Sequence, residues 1–157
     1  SSAASDVYKR QEETLKDFKC LLPRFNEVKD NRILVKEFCK RNRNPIWDLT
    51  NIKYFKTGLK SDGLIELGGK GKDEHYIQRS LCMEIIFRKL SENPDMSVEG
   101  FIDLLRMYSS TVQLTEKEHK EITLYTRNTD IMNYMVYDKV GIQVKGLMDI
   151  INLTPRF

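Results

Sequence analysis

Residues 62–77 constrain the fold most, because they interrupt a chain whose apolar residues otherwise recur at helical spacing. Asp62-Gly63 is a helix stop signal, and residues 64–67 (LIEL) alternate as a strand does. The glycine-rich, basic turn at 68–72 (GGKGK) precedes a second short apolar stretch at 75–77 (HYI). Three glycines suit positive backbone angles and close backbone approach. The segment predicts a helix end followed by a β-hairpin with a basic tip.

Apolar residues three and four apart predict helices along most of the remaining chain. Ser97 and Thr115 are N-cap candidates, and Glu118 completes a capping box with Thr115. Asn44-Pro45 is a cap followed by proline at the first helical position. Helices are expected at 12–25, from 45 to about 60, at 79–90, from 98 to about 108 and from 116 to about 125. Residues 33–39 fit a helix or a short strand.

These elements predict an α+β, predominantly helical fold: a winged-helix-like core with one β-hairpin and a C-terminal helical extension. The first eleven residues (SSAASDVYKRQ) resemble translated sequencing adapter, so the fold is expected to begin at Glu12. Residues 12–95 are expected to form the core. Residues 96–157 are expected to pack on that core or to dimerise, and the Met-rich stretch 131–153 is the candidate surface for a homodimer.

Positive charge is concentrated in residues 32–72. That segment holds ten Lys and Arg against four Asp and Glu, whereas the whole chain of 157 residues has a net charge of +3. Clustered cations attract polyanions, because each cation placed against a phosphate releases condensed counterions. Solvated faces of ordinary helices are the alternative interpretation. The charge distribution therefore favours nucleic acid, with double-stranded DNA as the expected form.

The candidate nucleic-acid contacts come from this basic segment. On the predicted helix, Lys53, Lys56 and Lys60 share one face and are expected to contact the groove or its phosphates. Asn51 and Asn44 are candidates for adenine contact, although asparagine is also a common helix cap. The flanking backbone is expected to be held by Lys40, Arg41, Arg43, Lys70 and Lys72.

No catalytic or metal-binding motif is recognised. The glycine-rich turn lacks the Lys-Ser or Lys-Thr ending of a phosphate-binding loop, and no CxxC or HExxH occurs. His75 and His119 have no acidic residue at a diagnostic offset, so hydrogen-bonded surface roles are expected for both. The three cysteines are widely separated and are expected to stay reduced. We expect no cofactor, no metal and no enzymatic activity.

Residues 63–86 (GLIELGGKGKDEHYIQRSLCMEII) resemble the later part of the KilA-N domain of phages and large DNA viruses, and the preceding helix around Trp47 is similar to its tryptophan-containing helix. In that family a short strand, a Gly/Arg-rich turn, a second strand and an apolar helix follow one another. Here residues 75–78 (HYIQ) stand where the family has Tyr-Ala-His. The resemblance implies a DNA-binding module of a phage or mobile-element protein, acting in the cytoplasm of a bacterial or phage-infected cell.

The sequence thus predicts a DNA-binding regulatory or replication-associated protein. One alternative is a small phage-type inhibitor or adaptor, in which the same basic patch binds a protein partner without catalysis. Another is an interaction protein that dimerises through its tail. A membrane role is not expected, because no apolar run approaches the ~20 residues of a membrane helix.

Overall fold

The computed structural model describes residues 2–43, 56–127 and 135–153. The described helices are α1 (Ser2–Val28), α2 (Arg32–Arg41), α3 (Asp62–Leu67), α4 (Arg79–Glu92), α5 (Val98–Tyr108), α6 (Glu116–Arg127), α7 (Met135–Val140) and α8 (Leu147–Leu153), and the strands are β1 (Lys56–Lys60), β2 (Lys72–His75) and β3 (Thr111–Leu114). The predicted α+β, predominantly helical class is confirmed.

Aromatic side chains from four helices form the centre of the helical layer. Phe87 of α4 stacks on Phe18 and on Phe25 of α1, with ring centroids 5.3 and 5.1 Å apart. It also meets the edge of Phe38 from α2 at 5.2 Å. Phe101 of α5 packs edge-on against Phe18 at 5.3 Å. Offset and edge-to-face contacts of this kind add to the burial of apolar area, so α4 is the helix around which α1, α2 and α5 assemble.

The residues at which helices begin were predicted well from the sequence. Ser97 caps α5, since its Oγ accepts a hydrogen bond from the amide of Gly100 at 3.1 Å. Thr115 and Glu118 form the predicted capping box at the start of α6. Asn31 Oδ1 accepts from two amides in the first turn of α2, which settles residues 33–39 as helix.

Helix α1 begins at Ser2, ten residues before the expected start. Within this additional part Gln11 is buried, and the Tyr8 hydroxyl donates to Glu99 of α5 at 3.2 Å. The helix also continues past Pro23, whose missing amide normally weakens a helix interior. Phe25 and Val28 beyond the proline are buried, and their packing favours continuation of the helix.

The three strands form one sheet in the order β1-β3-β2. Strand β1 runs parallel to β3, and β2 runs antiparallel to β3 with Glu74 opposite Val112. The central strand therefore belongs to residues 96–157, while both its neighbours belong to residues 12–95. The two segments consequently share a sheet. Strand β3 was not predicted.

The predicted hairpin is wrong. Residues 64–67 are helical in α3, and β2 pairs with β3 and not with them. Ser61 explains the helix: its Oγ accepts from the amide of Leu64 at 3.0 Å, and Leu64 is buried. Tyr76 and Ile77, expected in the second strand, are buried in the bend that follows β2.

The helix predicted from residue 45 to about 60 is wrong over Lys56–Lys60, which form strand β1. A spacing of four residues places side chains on one side of a helix and also on one side of a strand, so Lys56 and Lys60 fit both. Pairing with β3 decides between them. The remainder of the predicted helix, with Asn44, Asn51 and Lys53, lies outside the described residues.

The glycine-rich turn has the backbone angles expected at two of its three glycines. Gly68 and Gly69 have φ values of 80° and 83°. Gly71 serves a different purpose, because a Cβ there would lie 2.7 Å from the carbonyl oxygen of Leu114 in β3. Gly71 therefore allows the turn to lie close to β3, the central strand of the same chain.

The C-terminal part contains the short helices α7 and α8, which are separated by glycines. Gly141 and Gly146 both have positive φ, and they lie between α7 and α8. Val136, Tyr137 and Leu147 are buried in the shared core, while Met135 and Met148 are about half exposed. A homodimer through this region stays a prediction. Within the described ranges, no helix is both long enough and apolar enough to cross a membrane.

Candidate functional site

A cavity of about 600 Å³ lies beside strand β2. All four residues of β2 line it, together with the start of α4, one face of α6 and Arg43 just after α2. Among the described strands β2 pairs with β3 alone, so its other side faces this cavity. The volume is in the range of small-ligand sites, and each described residue that lines the cavity has a polar or charged side chain.

Glu74 and His119 form the central pair of the cavity. His119 lies on α6 and its Nδ1 donates to Oε2 of Glu74 on β2. This hydrogen bond raises the pKa of His119 above its usual value, although partial burial and the nearby ammonium of Lys72 oppose the shift. Thr123 and Thr126 follow His119 at helical spacing on the same face of α6.

His75, at the end of β2, is the second imidazole of the cavity and differs from the first. It is buried, and burial lowers its pKa to about 4. The guanidinium of Arg79 contributes to the shift, and the carboxylate of Asp73 opposes it. His75 is therefore neutral at physiological pH. Its burial contradicts the expectation of a surface histidine.

Asp73 is held by side chains of the other two strands. Its Oδ2 lies 2.9 Å from Nζ of Lys56 on β1, and its Oδ1 accepts a weak hydrogen bond from Gln113 of β3 at 3.4 Å. Lys56 is thus engaged across the sheet. An ion pair of this kind fixes both side chains and leaves Lys56 less available to a ligand than an unpaired lysine.

Arg43 and Lys72 bring the two ends of the basic segment to one place. They are 29 positions apart in the sequence, and both line the cavity. Neither forms an ion pair with a carboxylate among the described residues. Arg79 adds a third cationic side chain to the lining. Both carboxylates of the lining already have a cationic or imidazole partner, so the cavity carries an excess of positive charge.

The first turn of α4 adds to this electrostatic character. It opens into the cavity at Gln78, Arg79 and Ser80, contains no acidic residue, and Gln78 makes no side-chain cap hydrogen bond. Amide groups at a helix start carry partial positive charge. The arrangement is therefore suited to an anion.

The predicted site residues separate into four groups. Arg43 and Lys72 lie in the cavity lining, and Lys56 lies in the ion pair with Asp73. Asn51 and Lys53 lie outside the described residues. The other predicted residues are exposed. Lys40, Arg41 and Lys70 shortly precede the cavity residues in sequence, and Lys60 ends β1.

Sequence reasoning did not identify Glu74, Arg79 or His119 as site residues. Glu74 and His119 are 45 positions apart, so no local spacing could relate them. The useful signal was weaker: an acidic pair directly before the histidine of a predicted strand, and a second histidine in a predicted helix. In the described parts of the chain, no group of three His, Cys, Asp or Glu residues could hold a metal ion.

Comparison with known proteins gives no relative: no family model, no curated protein and no solved structure matches this chain.

Proposed function

We propose that this protein binds nucleic acid, with double-stranded DNA as the expected form, by contacting phosphates around the cavity. The observation that carries the proposal is the convergence of Arg43 and Lys72 on one cavity with no carboxylate partner for either among the described residues. Two cations from distant parts of the chain, placed in one cavity whose two carboxylates already have other partners, favour a phosphate ligand.

The surrounding charge supports the same function. Lys40 and Arg41 lie in the last turn of α2, just before Arg43, and both are exposed. Lys70 is exposed in the turn before Lys72. Each end of the basic segment therefore offers one cavity cation and at least one exposed neighbour, which extends the positive surface beyond the cavity.

Contacts of this kind position a nucleic acid and carry little sequence information, because phosphates are the same at every base pair. A regulatory or replication-associated role in a phage or mobile element is part of the proposal and is favoured by the resemblance to the KilA-N domain. The winged-helix arrangement is not needed for it, since the cavity cations do not lie on a hairpin.

The test is fluorescence anisotropy with a labelled 30-base-pair duplex of random sequence, and with its single strand, at 50 and 200 mM salt. We expect binding to the duplex that weakens steeply with salt. Replacing both Arg43 and Lys72 with Ala should reduce affinity about tenfold or more and lower the salt slope by about two.

Lys117→Ala is the matched control. Lys117 is exposed on α6, about 200° around the helix axis from His119, and is not part of the cavity lining. It should leave affinity unchanged. Absence of binding to both nucleic-acid forms at 50 mM salt contradicts the proposal.

A protein partner is the second candidate. Helix α3 exposes two large apolar side chains, Ile65 at 61% and Leu67 at 75%, directly before the basic turn. Apolar and basic groups side by side are found at protein interfaces as well as at nucleic-acid surfaces. A Leu67→Asp variant that binds DNA normally but loses a partner recovered by pull-down would favour the adaptor function.

A further inference from the structure

The cavity has more positive charge than an internal phosphodiester requires. Its lining contains Arg43, Lys72 and Arg79 against the carboxylates of Asp73 and Glu74, and the hydrogen bond to Glu74 favours the protonated form of His119. The carboxylate of Asp73 is already paired with Lys56 from outside the lining. An internal phosphodiester carries a single negative charge, whereas a phosphate monoester carries about −1.5 to −2 at pH 7 and offers three terminal oxygens. The monoester matches this cluster better.

Neutral polar side chains complete the lining. Thr123 and Thr126 lie along the α6 side, where their hydroxyls donate to the carbonyls of His119 and Thr123 and keep free acceptor capacity. Ser80 and Gln78 contribute polar groups at the start of α4. With a volume of about 600 Å³, the cavity has room for a phosphate together with its sugar and base. Among the described residues, no Phe, Tyr or Trp side chain lines it, so the described part of the lining favours recognition of the phosphate over stacking on a base.

The distribution of cations distinguishes the inside of the cavity from its surroundings. Arg43, which is partly buried, and Lys72, which is exposed, lie in the lining, whereas their exposed sequence neighbours Arg41 and Lys70 are absent from it. A strand whose last phosphate enters the cavity can continue outward along these neighbours. This arrangement suits the end of a strand, because a terminal group can enter a cavity without the chain having to leave again.

We propose that the cavity beside β2 binds a terminal phosphate monoester of a nucleic-acid strand. The inference rests on the proposed function, since it assigns a specific group of the nucleic acid to this site. Lys72 and Arg43 contact the phosphate oxygens, and His119, oriented by Glu74, donates a further hydrogen bond from its ring.

The experiment compares three duplexes of identical sequence whose ends carry 5′-phosphate, 3′-phosphate or only hydroxyl groups, with the fluorophore attached internally. We expect one phosphorylated duplex to bind about tenfold more tightly than the hydroxyl duplex, which is the size of one charge-assisted contact. Adenosine monophosphate should compete for binding, while adenosine at the same concentration should not.

Lys72→Ala and, independently, Arg43→Ala should reduce this preference to about twofold or less, whereas Lys117→Ala should retain it. Circular dichroism melting identifies a variant that has lost its fold, and the second cavity variant then serves as the test. Both substituted side chains lie at least partly at the surface, and neither belongs to the apolar core.

The outcomes separate the two proposals. Equal, salt-dependent binding of all three duplexes overturns the terminal-phosphate site and leaves nucleic-acid binding in place. Binding to none of them overturns both. A preference that survives in Lys72→Ala and Arg43→Ala places the terminal phosphate elsewhere on the molecule and also contradicts the assignment.

Discussion

The pKa values of the two imidazoles in the cavity, His119 and His75, shift in opposite directions. A hydrogen bond to a carboxylate raises the pKa of His119, and burial lowers that of His75. His119 donates to a carboxylate, which stabilises its protonated form, whereas buried His75 lies near the guanidinium of Arg79. Neither environment can be read from the sequence. Glu74 is adjacent to His75 in the chain but forms its hydrogen bond with His119, 45 positions away.

His75 makes stability depend on pH. Its pKa is about 4 in the folded chain against a usual value of 6.5, so between these values the unfolded state binds more protons. Stability is therefore fully present above pH 6.5 and is lost as pH falls toward 4, by up to about 3 kcal/mol. Urea unfolding of the native chain and of His75→Gln at pH 7, 5.5 and 4.5 measures the difference.

The loss should be clearly smaller in His75→Gln, because glutamine does not titrate. Asp73 and Arg79, the charged groups nearest His75, are kept in both proteins. An identical decline of the two proteins with pH contradicts this assignment.

Helix α3 depends on a residue that belongs to another element. Oε1 of Glu118, in the first turn of α6, accepts hydrogen bonds from the amide of Thr115 at 2.8 Å and from the hydroxyl of Ser61 at 2.6 Å. Ser61 in turn caps α3. One carboxylate therefore stabilises the beginnings of two helices that are more than fifty positions apart in sequence.

Glu118→Ala should destabilise the fold by about 2 kcal/mol, because a cap is lost and the buried hydroxyl of Ser61 loses its acceptor. Glu116→Ala is the matched control. Glu116 is also in the first turn of α6, but its only described ion pair is an exposed one with Lys120 at 3.8 Å. That substitution should cost under about 0.5 kcal/mol. Equal denaturation midpoints for the two variants contradict the shared cap.

The contact between Glu118 and Ser61 illustrates why some elements could be predicted from the sequence and others could not. Helices α4, α5 and α6 carry apolar faces and caps within their own sequence, so local reasoning found them. Helix α3 and strand β1 are short, and each is decided by a remote partner: Glu118 for α3 and β3 for β1. At the site, composition identified Arg43 and Lys72, but only the fold places Glu74, Arg79 and His119 beside them.

At the scale of the whole molecule, Phe87 connects three helices. Its ring contacts Phe18 and Phe25 of α1 and Phe38 of α2 at centroid distances of 5.1–5.3 Å, and it is fully buried. Phe87→Ala should cost about 3–5 kcal/mol, the range for removal of a core aromatic ring. Guanidinium unfolding followed by circular dichroism measures it.

Leu124→Ala removes a large apolar side chain that is 61% exposed and provides the comparison. Its effect should stay within about 0.5 kcal/mol. A Phe87→Ala loss as small as that of Leu124→Ala would show that the four helices do not share one aromatic centre.

The parallel pairing of β1 with β3 also has a consequence for the order of folding. Thr57 Oγ1 on β1 donates to the carbonyl of Thr111 on β3 at 2.7 Å, across 54 positions of chain. Closing so long a loop is entropically costly, whereas the hydrogen bonds within each helix are local. We therefore expect β1 to pair with β3 after the individual helices have formed. Since β2 borders the cavity, a bound ligand should slow amide exchange in the sheet far more than in the helical layer.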